Sequence, residues 1–129
     1  VTVRHPLDSY LGLLAQDWVN QFSPSTLEEY SCRYLAFLGR YEYLPILHYE
    51  DFCAQPERFM ERLCARLEIS YSACFLRRFG EITLSGDSGR KGLETIEPRP
   101  RRPVPEQLCS EIENSKSYLK LVSRLGYSA

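Results

Sequence analysis

The sequence predicts an α/β fold in which amphipathic helices alternate with short buried strands. Apolar residues recur at helical spacing over several long stretches, and two short apolar runs, residues 1–3 and 44–49, lie between them. Helices that separate parallel-type strands are typical of a doubly wound sheet. Because two strands do not make a stable sheet alone, we expect a mostly helical portion of a larger domain.

Length and composition limit the classes of function. The 129 residues suffice for a single domain or part of one, so we treat 1–129 as one partial domain. The formal net charge of -1 disfavours nucleic acid or a membrane surface as partner. No apolar run is long enough to span a membrane. The chain begins at Val1 inside an expected strand, so we expect it to be a piece of a longer protein.

The cysteines give no metal-binding pattern. None of the five belongs to a C-x-x-C pair, and the chain has two histidines, so no metal site is expected. An odd number of thiols favours a reducing compartment, and we expect a cytoplasmic protein.

The first half of the chain predicts two helices and a strand. The first helix is expected over residues 8–20. Ser25-Thr26-Leu27-Glu28 is typical of a capping box and predicts a second helix over residues 25–40. The apolar run at 44–49 is expected to form a strand buried on both faces, parallel and adjacent to residues 1–3.

The second half predicts further helices around a long irregular segment. Pro56 suits the first turn of a helix over residues 56–68, and a short helix is expected over 72–79. Residues 80–104 are rich in glycine and proline, and a loop of this length is usually functional or disordered. Pro105 begins a helix to about Asn114, and a last helical turn or two from Tyr118 to Leu125 is closed by Gly126.

Two segments have the features of anion-binding sites. Arg4 lies at the tip of the strand expected at residues 1–3, directly before a helix, and this arrangement often holds phosphate. The second segment is the glycine-rich loop 85–92, in which backbone N–H groups turn inward and Arg90 and Lys91 supply charge. Two such elements indicate a nucleotide with more than one phosphate group.

Two further features lie near these segments. Tyr49 ends the second expected strand, where doubly wound sheets bind ligands, so we expect it to contact the nucleotide. The arginines at 99, 101 and 102 either pair with carboxylates on the sheet or form a rim for an acceptor substrate.

These segments together resemble the sulfotransferases that use 3′-phosphoadenosine 5′-phosphosulfate (PAPS). Arg4-His5-Pro6-Leu7-Asp8 resembles the start of that family's 3′-phosphate-binding element. His48-Tyr49-Glu50-Asp51, followed by Pro56, resembles its Y-E-D segment and the helix after it, and Ser85 to Arg90 resembles its late nucleotide-binding loop. Leu125-Gly126-Tyr127 resembles the end of the protein-tyrosine and related bacterial branches.

The resemblance implies the C-terminal part of a P-loop-like doubly wound parallel sheet. It also implies PAPS as the sulfuryl donor and an unidentified acceptor hydroxyl or amine. The 5′-phosphosulfate loop and the general base have no counterpart in this sequence, so no catalytic residue is expected here. We therefore expect the chain alone to be inactive and to associate with the missing N-terminal half or another chain.

The candidate cofactor-binding residues follow from the loops and from the resemblance. They are Arg4, Ser9, Gly12, Tyr49, Ser85, Arg90, Lys91 and Gly92. Two positions depart from the family's pattern. The family usually has serine eight residues after the arginine, where this chain has Gly12, although Ser9 lies one turn earlier on the same helix face. His5 stands where the family has aspartate.

Two other functions fit the same residues. A non-catalytic module could bind heparin-like glycans or nucleic acid through the basic loop, with steep salt dependence and no nucleotide preference. A degenerate sulfotransferase paralogue could keep the fold as a scaffold.

Overall fold

The computed structural model describes residues 1–16, 24–81 and 95–128. The chain forms two compact units, one of Val1–Leu47 with Pro100–Ala129 and the other of His48–Arg99. The structure is mostly helical and includes a small two-stranded parallel sheet, which confirms the α/β class.

The sheet pairs the two runs that the sequence predicts to be adjacent and parallel. Strand β1 is Thr2–Val3 and strand β2 is Leu47–His48. The Leu47 N–H donates to the Val1 carbonyl at 2.8 Å, and the Val1 amino group donates to the Pro45 carbonyl at 2.7 Å.

The second strand is shorter and less buried than predicted. Leu44 and Ile46 are 40% and 39% exposed, so the expectation of a strand over 44–49 buried on both faces is wrong. Pro45 has no N–H to donate to a ladder, and Tyr49 already belongs to a helix.

Among its described residues, the first unit has four helices beside the sheet. Their bounds are α1 Pro6–Ala15, α2 Leu27–Arg40, α6 Glu106–Asn114 and α7 Lys116–Arg124. Helix α1 begins two residues before the predicted start at 8, because Pro6 has no N–H to leave unpaired and His5 caps the helix. The last helix is also longer than predicted, because Ser115 caps it three residues before Tyr118. Residues 17–20 of the predicted first helix lie outside the described residues.

The core of the first unit lies where α1, α2, α6 and α7 meet. Helix α2 packs against both α6 and α7, and α1 packs against α2 and α7. The residues at the centre of this core are Leu7, Tyr10, Leu11, Leu27, Leu108, Tyr118 and Val122. A second cluster connects β1 to the far ends of α2 and α7 through Val3, Leu38, Leu121 and Leu125.

Gly126 ends α7 as predicted. Its φ of 73° lies in the left-handed region that favours glycine. The Gly126 N–H donates to the Ser123 carbonyl at 3.1 Å, and the Tyr127 N–H donates to the Val122 carbonyl at 3.1 Å. These two bonds form a Schellman motif, which satisfies the last carbonyls of the helix.

The capping box of α2 lies one residue later than the sequence predicts. Thr26, not Ser25, is the N-cap, and its hydroxyl accepts from the Glu29 N–H at 3.2 Å. The Glu29 carboxylate in turn accepts from the Ser25 N–H at 3.0 Å. Glu28 is therefore not part of the capping box, and its carboxylate contacts the start of α7 instead.

Side chains from other helices cap the N-termini of α2 and α7. The Glu28 carboxylate accepts from the Ser115 hydroxyl at 2.6 Å and from the Ser117 N–H at 3.1 Å, at the start of α7. The Glu111 carboxylate of α6 accepts from the Leu27 N–H at 2.9 Å, at the start of α2. Each carboxylate meets the positive end of a helix dipole and pairs a backbone donor that the helix cannot satisfy.

Over residues 48–81 and 95–99, the second unit has three helices and a 3-10 turn. They are α3 Tyr49–Ala54, α4 Pro56–Arg66, α5 Cys74–Arg78 and the turn Phe79–Glu81. Helices α4 and α5 are each shorter than predicted. Cys64 lies on the apolar face of α4 and is buried. Leu67 lies just past the end of α4 and is 58% exposed. All five cysteines are free.

We predict that Glu28 makes the stability of the chain depend on pH. Hydrogen bonds from Ser115 and Ser117 lower the pKa of Glu28 from 4.5 to about 2. The folded pKa lies below the ordinary value, so the cap stabilises the fold fully above about pH 5 and loses this effect as pH falls toward 2. In urea unfolding, the midpoint of the parent chain should fall over this range, and Glu28→Gln should show a lower midpoint at pH 7 and a weaker fall.

The matched control is Glu113→Gln, which removes a carboxylate from an exposed position of α6. It should keep the pH profile of the parent chain. Identical profiles for the parent chain and Glu28→Gln would show that this carboxylate does not cap α7 in solution.

Candidate functional site

Arg4 lies between β1 and α1, in the strand–arginine–helix order that the sequence predicts. His5 follows it as the N-cap of α1. The Leu7 N–H donates to His5 Nδ1 at 3.3 Å, and the Ser9 N–H donates to the His5 carbonyl at 3.1 Å. Pro6 has no N–H, and the Leu7 N–H is already paired, so an anion at this end would depend mainly on side chains.

His5 also connects the start of α1 to the end of the chain. Its Nε2 lies 3.1 Å from the Ser128 carbonyl, and its ring lies 4.9 Å from that of Tyr127. Since Nδ1 accepts a hydrogen bond, the neutral tautomer with the proton on Nε2 satisfies both contacts. His5, which stands where the sulfotransferases that this sequence resembles have aspartate, therefore performs a capping role.

Ser9 and Gly12 lie on one face of α1, a turn apart. The side chain of Ser9 is hydrogen-bonded to the hydroxyl of Tyr30, whose pKa is raised mainly by burial. Apart from its chain neighbours and the nearby backbone of its own helix, no atom of the described residues lies within 4 Å of a Cβ placed at Gly12, so the space beside Gly12 is open. The Ser9 side chain is thus already bonded to a residue of α2. The space beside Gly12 could hold a larger side chain than glycine has.

Arg101 lies beside the first turn of α1. Its Nε donates to Asp8 Oδ1 at 2.7 Å, and Asp8 belongs to the first turn of the helix. The sequence leaves open whether this arginine pairs with a carboxylate on the sheet or forms an acceptor rim. Its partner is a carboxylate on a helix, 93 positions away in the chain.

Tyr49 is the first residue of α3 rather than the last residue of a strand. It lines a small cavity of about 20 Å³ inside the second unit, together with Phe52 and Arg99. This volume holds about one water molecule and is too small for an adenine ring. One terminal nitrogen of Arg99 is buried there without a hydrogen bond to the described residues.

Three of the eight candidate residues, Arg4, Ser9 and Gly12, lie in α1 or just before it, in the first unit. Tyr49 belongs to the second unit. The other four candidates, Ser85, Arg90, Lys91 and Gly92, lie outside the described residues, together with most of the predicted loop.

A shallow depression of about 500 Å³ was not predicted from the sequence. It lies where α2, α6 and α7 meet, and Glu28 and Glu111 contribute to its lining. Both carboxylates cap helices, so the polar character of the depression has a structural cause. Ser115, which caps α7 and lines the depression, was the sequence signal that could have located this depression.

Tyr10 and Cys74 also have shifted pKa values. Burial, with smaller contributions from Glu111 and Glu29, raises the pKa of Tyr10 to about 12. A hydrogen bond to Ser72 and another to Arg77 lower the pKa of the Cys74 thiol. Across residues 1–16, 24–81 and 95–128, no cluster of histidine, cysteine and carboxylate side chains is suited to a metal ion.

Comparisons with protein-family models, with curated proteins and with solved structures found no match to this chain. None of the helices in the described segments has the length and apolar character needed to cross a bilayer.

We predict that Gly12→Ala stabilises the chain. Glycine inside a helix costs about 0.5–1 kcal/mol relative to alanine, and the added methyl group meets open space. Urea unfolding at pH 7 should show a gain in the free energy of unfolding of that size.

Gly126→Ala is the control with the opposite sign, because its φ of 73° is unfavourable for alanine. A loss of stability in Gly12→Ala would mean that the space beside this position is filled in solution.

Proposed function

We propose that this chain is the C-terminal part of a PAPS-dependent sulfotransferase and that it binds the 3′-phosphate of the nucleotide. The observation that carries the proposal is the placement of Arg4 between a parallel strand and the start of α1. Gly12 supports it as well, since open space lies on the helix face where the family places a hydroxyl.

The proposed chemistry depends on position and charge. An acceptor hydroxyl or amine would attack sulfur in line, and fixed cations would hold the departing 3′-phosphoadenosine 5′-phosphate (PAP). In this proposal Arg4 is one of those cations. The general base and the 5′-phosphosulfate loop would come from residues beyond this sequence.

Two of the described arginines outside the proposed site are paired with carboxylates. Arg33 pairs with Glu29 at 2.6 Å. Arg78 lies 3.3 Å from Glu81. Each of these positive charges is offset by a carboxylate, which weakens the attraction of a polyanion to them.

We predict that Arg4 gives the chain its preference for a 3′-phosphate. Calorimetry should show that PAP binds about tenfold to a hundredfold more tightly than adenosine 5′-phosphate, since a hydrogen bond to a charged group contributes about 1.5–3 kcal/mol. Arg4→Ala should remove most of this difference and leave the affinity for adenosine 5′-phosphate nearly unchanged.

Arg33→Ala is the matched control, because it removes an exposed arginine of the same unit. It should leave the preference intact. Equal affinity for the two nucleotides, with tighter binding to heparin that collapses as salt rises, would replace this proposal with the polyanion-binding module.

We predict that Gly12→Ser strengthens the binding of PAP. The serine hydroxyl would occupy the open face of α1 and donate to the 3′-phosphate, so the affinity for PAP should rise by about threefold to tenfold. The affinity for adenosine 5′-phosphate should not change.

Gly12→Ala serves as the control because it shares the backbone effect of the substitution but adds no donor. A gain in Gly12→Ala equal to that in Gly12→Ser would show that helix stability, and not the hydroxyl, changed the affinity.

A further inference from the structure

The ion pair between Arg101 and Asp8 joins an accessible cation to a mostly buried carboxylate. The side chain of Arg101 is 43% exposed, whereas that of Asp8 is 14% exposed. Asp8 lies in the first turn of α1, directly after the segment where Arg4 enters the helix. A second positive charge is thus held at the end of α1 that the proposed function assigns to phosphate.

The bond between these two residues leaves Arg101 able to bind another acceptor. It joins Arg101 Nε to Asp8 Oδ1. A guanidinium bound through Nε still has two terminal amino groups, and their parallel N–H donors match the oxygens of a phosphate. A phosphate monoester carries more negative charge than one carboxylate and offers three oxygens, so it can compete with Asp8 for this cation.

Tyr118 supplies an independent observation at this place. Its side chain is 0% exposed, and its hydroxyl has no hydrogen-bond partner among the described residues. Tyr118 belongs to the same buried cluster as Leu7 and Leu11 of α1. Burial raises the pKa of Tyr118, Arg101 lowers it and Asp8 raises it. Buried hydroxyl groups are usually paired, and an unpaired one near a carboxylate is a donor in need of an acceptor.

We propose that Arg101 is a second cation of the 3′-phosphate site, held by Asp8 until the nucleotide binds. On binding, Arg101 turns from Asp8 to the phosphate, and the Tyr118 hydroxyl donates to the carboxylate that Arg101 leaves. This inference rests on the proposed function, and it adds to that function an arginine and a positioning tyrosine from α7.

The test measures the affinities for PAP and for adenosine 5′-phosphate by calorimetry in single variants of the full chain. Arg101→Ala should weaken PAP by about tenfold, the size of one hydrogen bond to a charged group. Asp8→Asn should tighten PAP by about threefold, because the variant holds Arg101 less strongly in the free chain. Tyr118→Phe should weaken PAP, because no donor then replaces Arg101 at Asp8. None of these changes should alter the affinity for adenosine 5′-phosphate.

The opposite effects of Arg101→Ala and Asp8→Asn on PAP affinity distinguish a phosphate-binding Arg101 from a purely structural ion pair, here called a latch. A latch would lose the same contact in both variants, so both would shift PAP affinity in the same direction or leave it unchanged. Arg33→Ala, which breaks an exposed ion pair of the same unit, should leave PAP affinity as it is. If Arg101→Ala does not fold, Arg101→Lys keeps the charge but loses the planar fork, and it should still weaken PAP.

The inference and the proposed function fail in different ways. Loss of 3′-phosphate preference in Arg4→Ala, with no change in Arg101→Ala and Asp8→Asn, would overturn the inference and leave the proposed function standing. Absence of any preference in the parent chain would overturn both.

Discussion

The packing of the first unit depends on the contact between the Glu28 carboxylate and the start of α7. Glu28 belongs to α2 and accepts hydrogen bonds from Ser115 and Ser117, which lie 87 and 89 positions away in the chain. Helix ends leave backbone donors unpaired, and burying them without a partner is costly. Because Glu28 pairs such a donor, α7 can begin close to α2, and its apolar face can pack against that helix.

This crossing of α2 and α7 also positions the candidate site. Helix α1 packs against both of them, with Tyr10 and Leu11 in the shared core. Its first turn therefore has a fixed place relative to Tyr118 of α7 and to the chain segment that carries Arg101. The charged groups at this end of α1 come from parts of the sequence that are far apart, and the helix crossing brings them together.

The start of α1 differs from the usual helix N-terminal anion site in its source of donors. In such sites the backbone N–H groups point at the anion. Here Pro6 supplies no N–H, His5 pairs with the Leu7 N–H, and Asp8 adds a negative charge to the first turn. Any anion bound there would depend on arginine side chains, of which Arg4 and Arg101 are the candidates.

The sequence by itself determined the features that arise from neighbouring residues. Pro56 begins a helix, Gly126 ends one, and residues 1–3 and 44–49 contain the two strands that pair. Such features are readable because a cap, a fixed φ or a missing N–H acts within a few residues. The capping box was predicted one residue early because Ser25 and Thr26 are both good caps and Glu28 and Glu29 are both acidic, so local chemistry could not choose between them.

Only the tertiary structure decided which partner each of the remaining polar groups found. It placed the Glu28 carboxylate at the start of α7, joined Asp8 to Arg101 and hydrogen-bonded Ser9 to Tyr30. It also buried the hydroxyl of Tyr118 without an acceptor among the described residues. It also left Leu44 and Ile46 exposed beside a strand that the sequence predicts to be buried. These outcomes depend on which helices cross and which faces they cover, and short sequence patterns do not contain that information because the partners lie many residues apart.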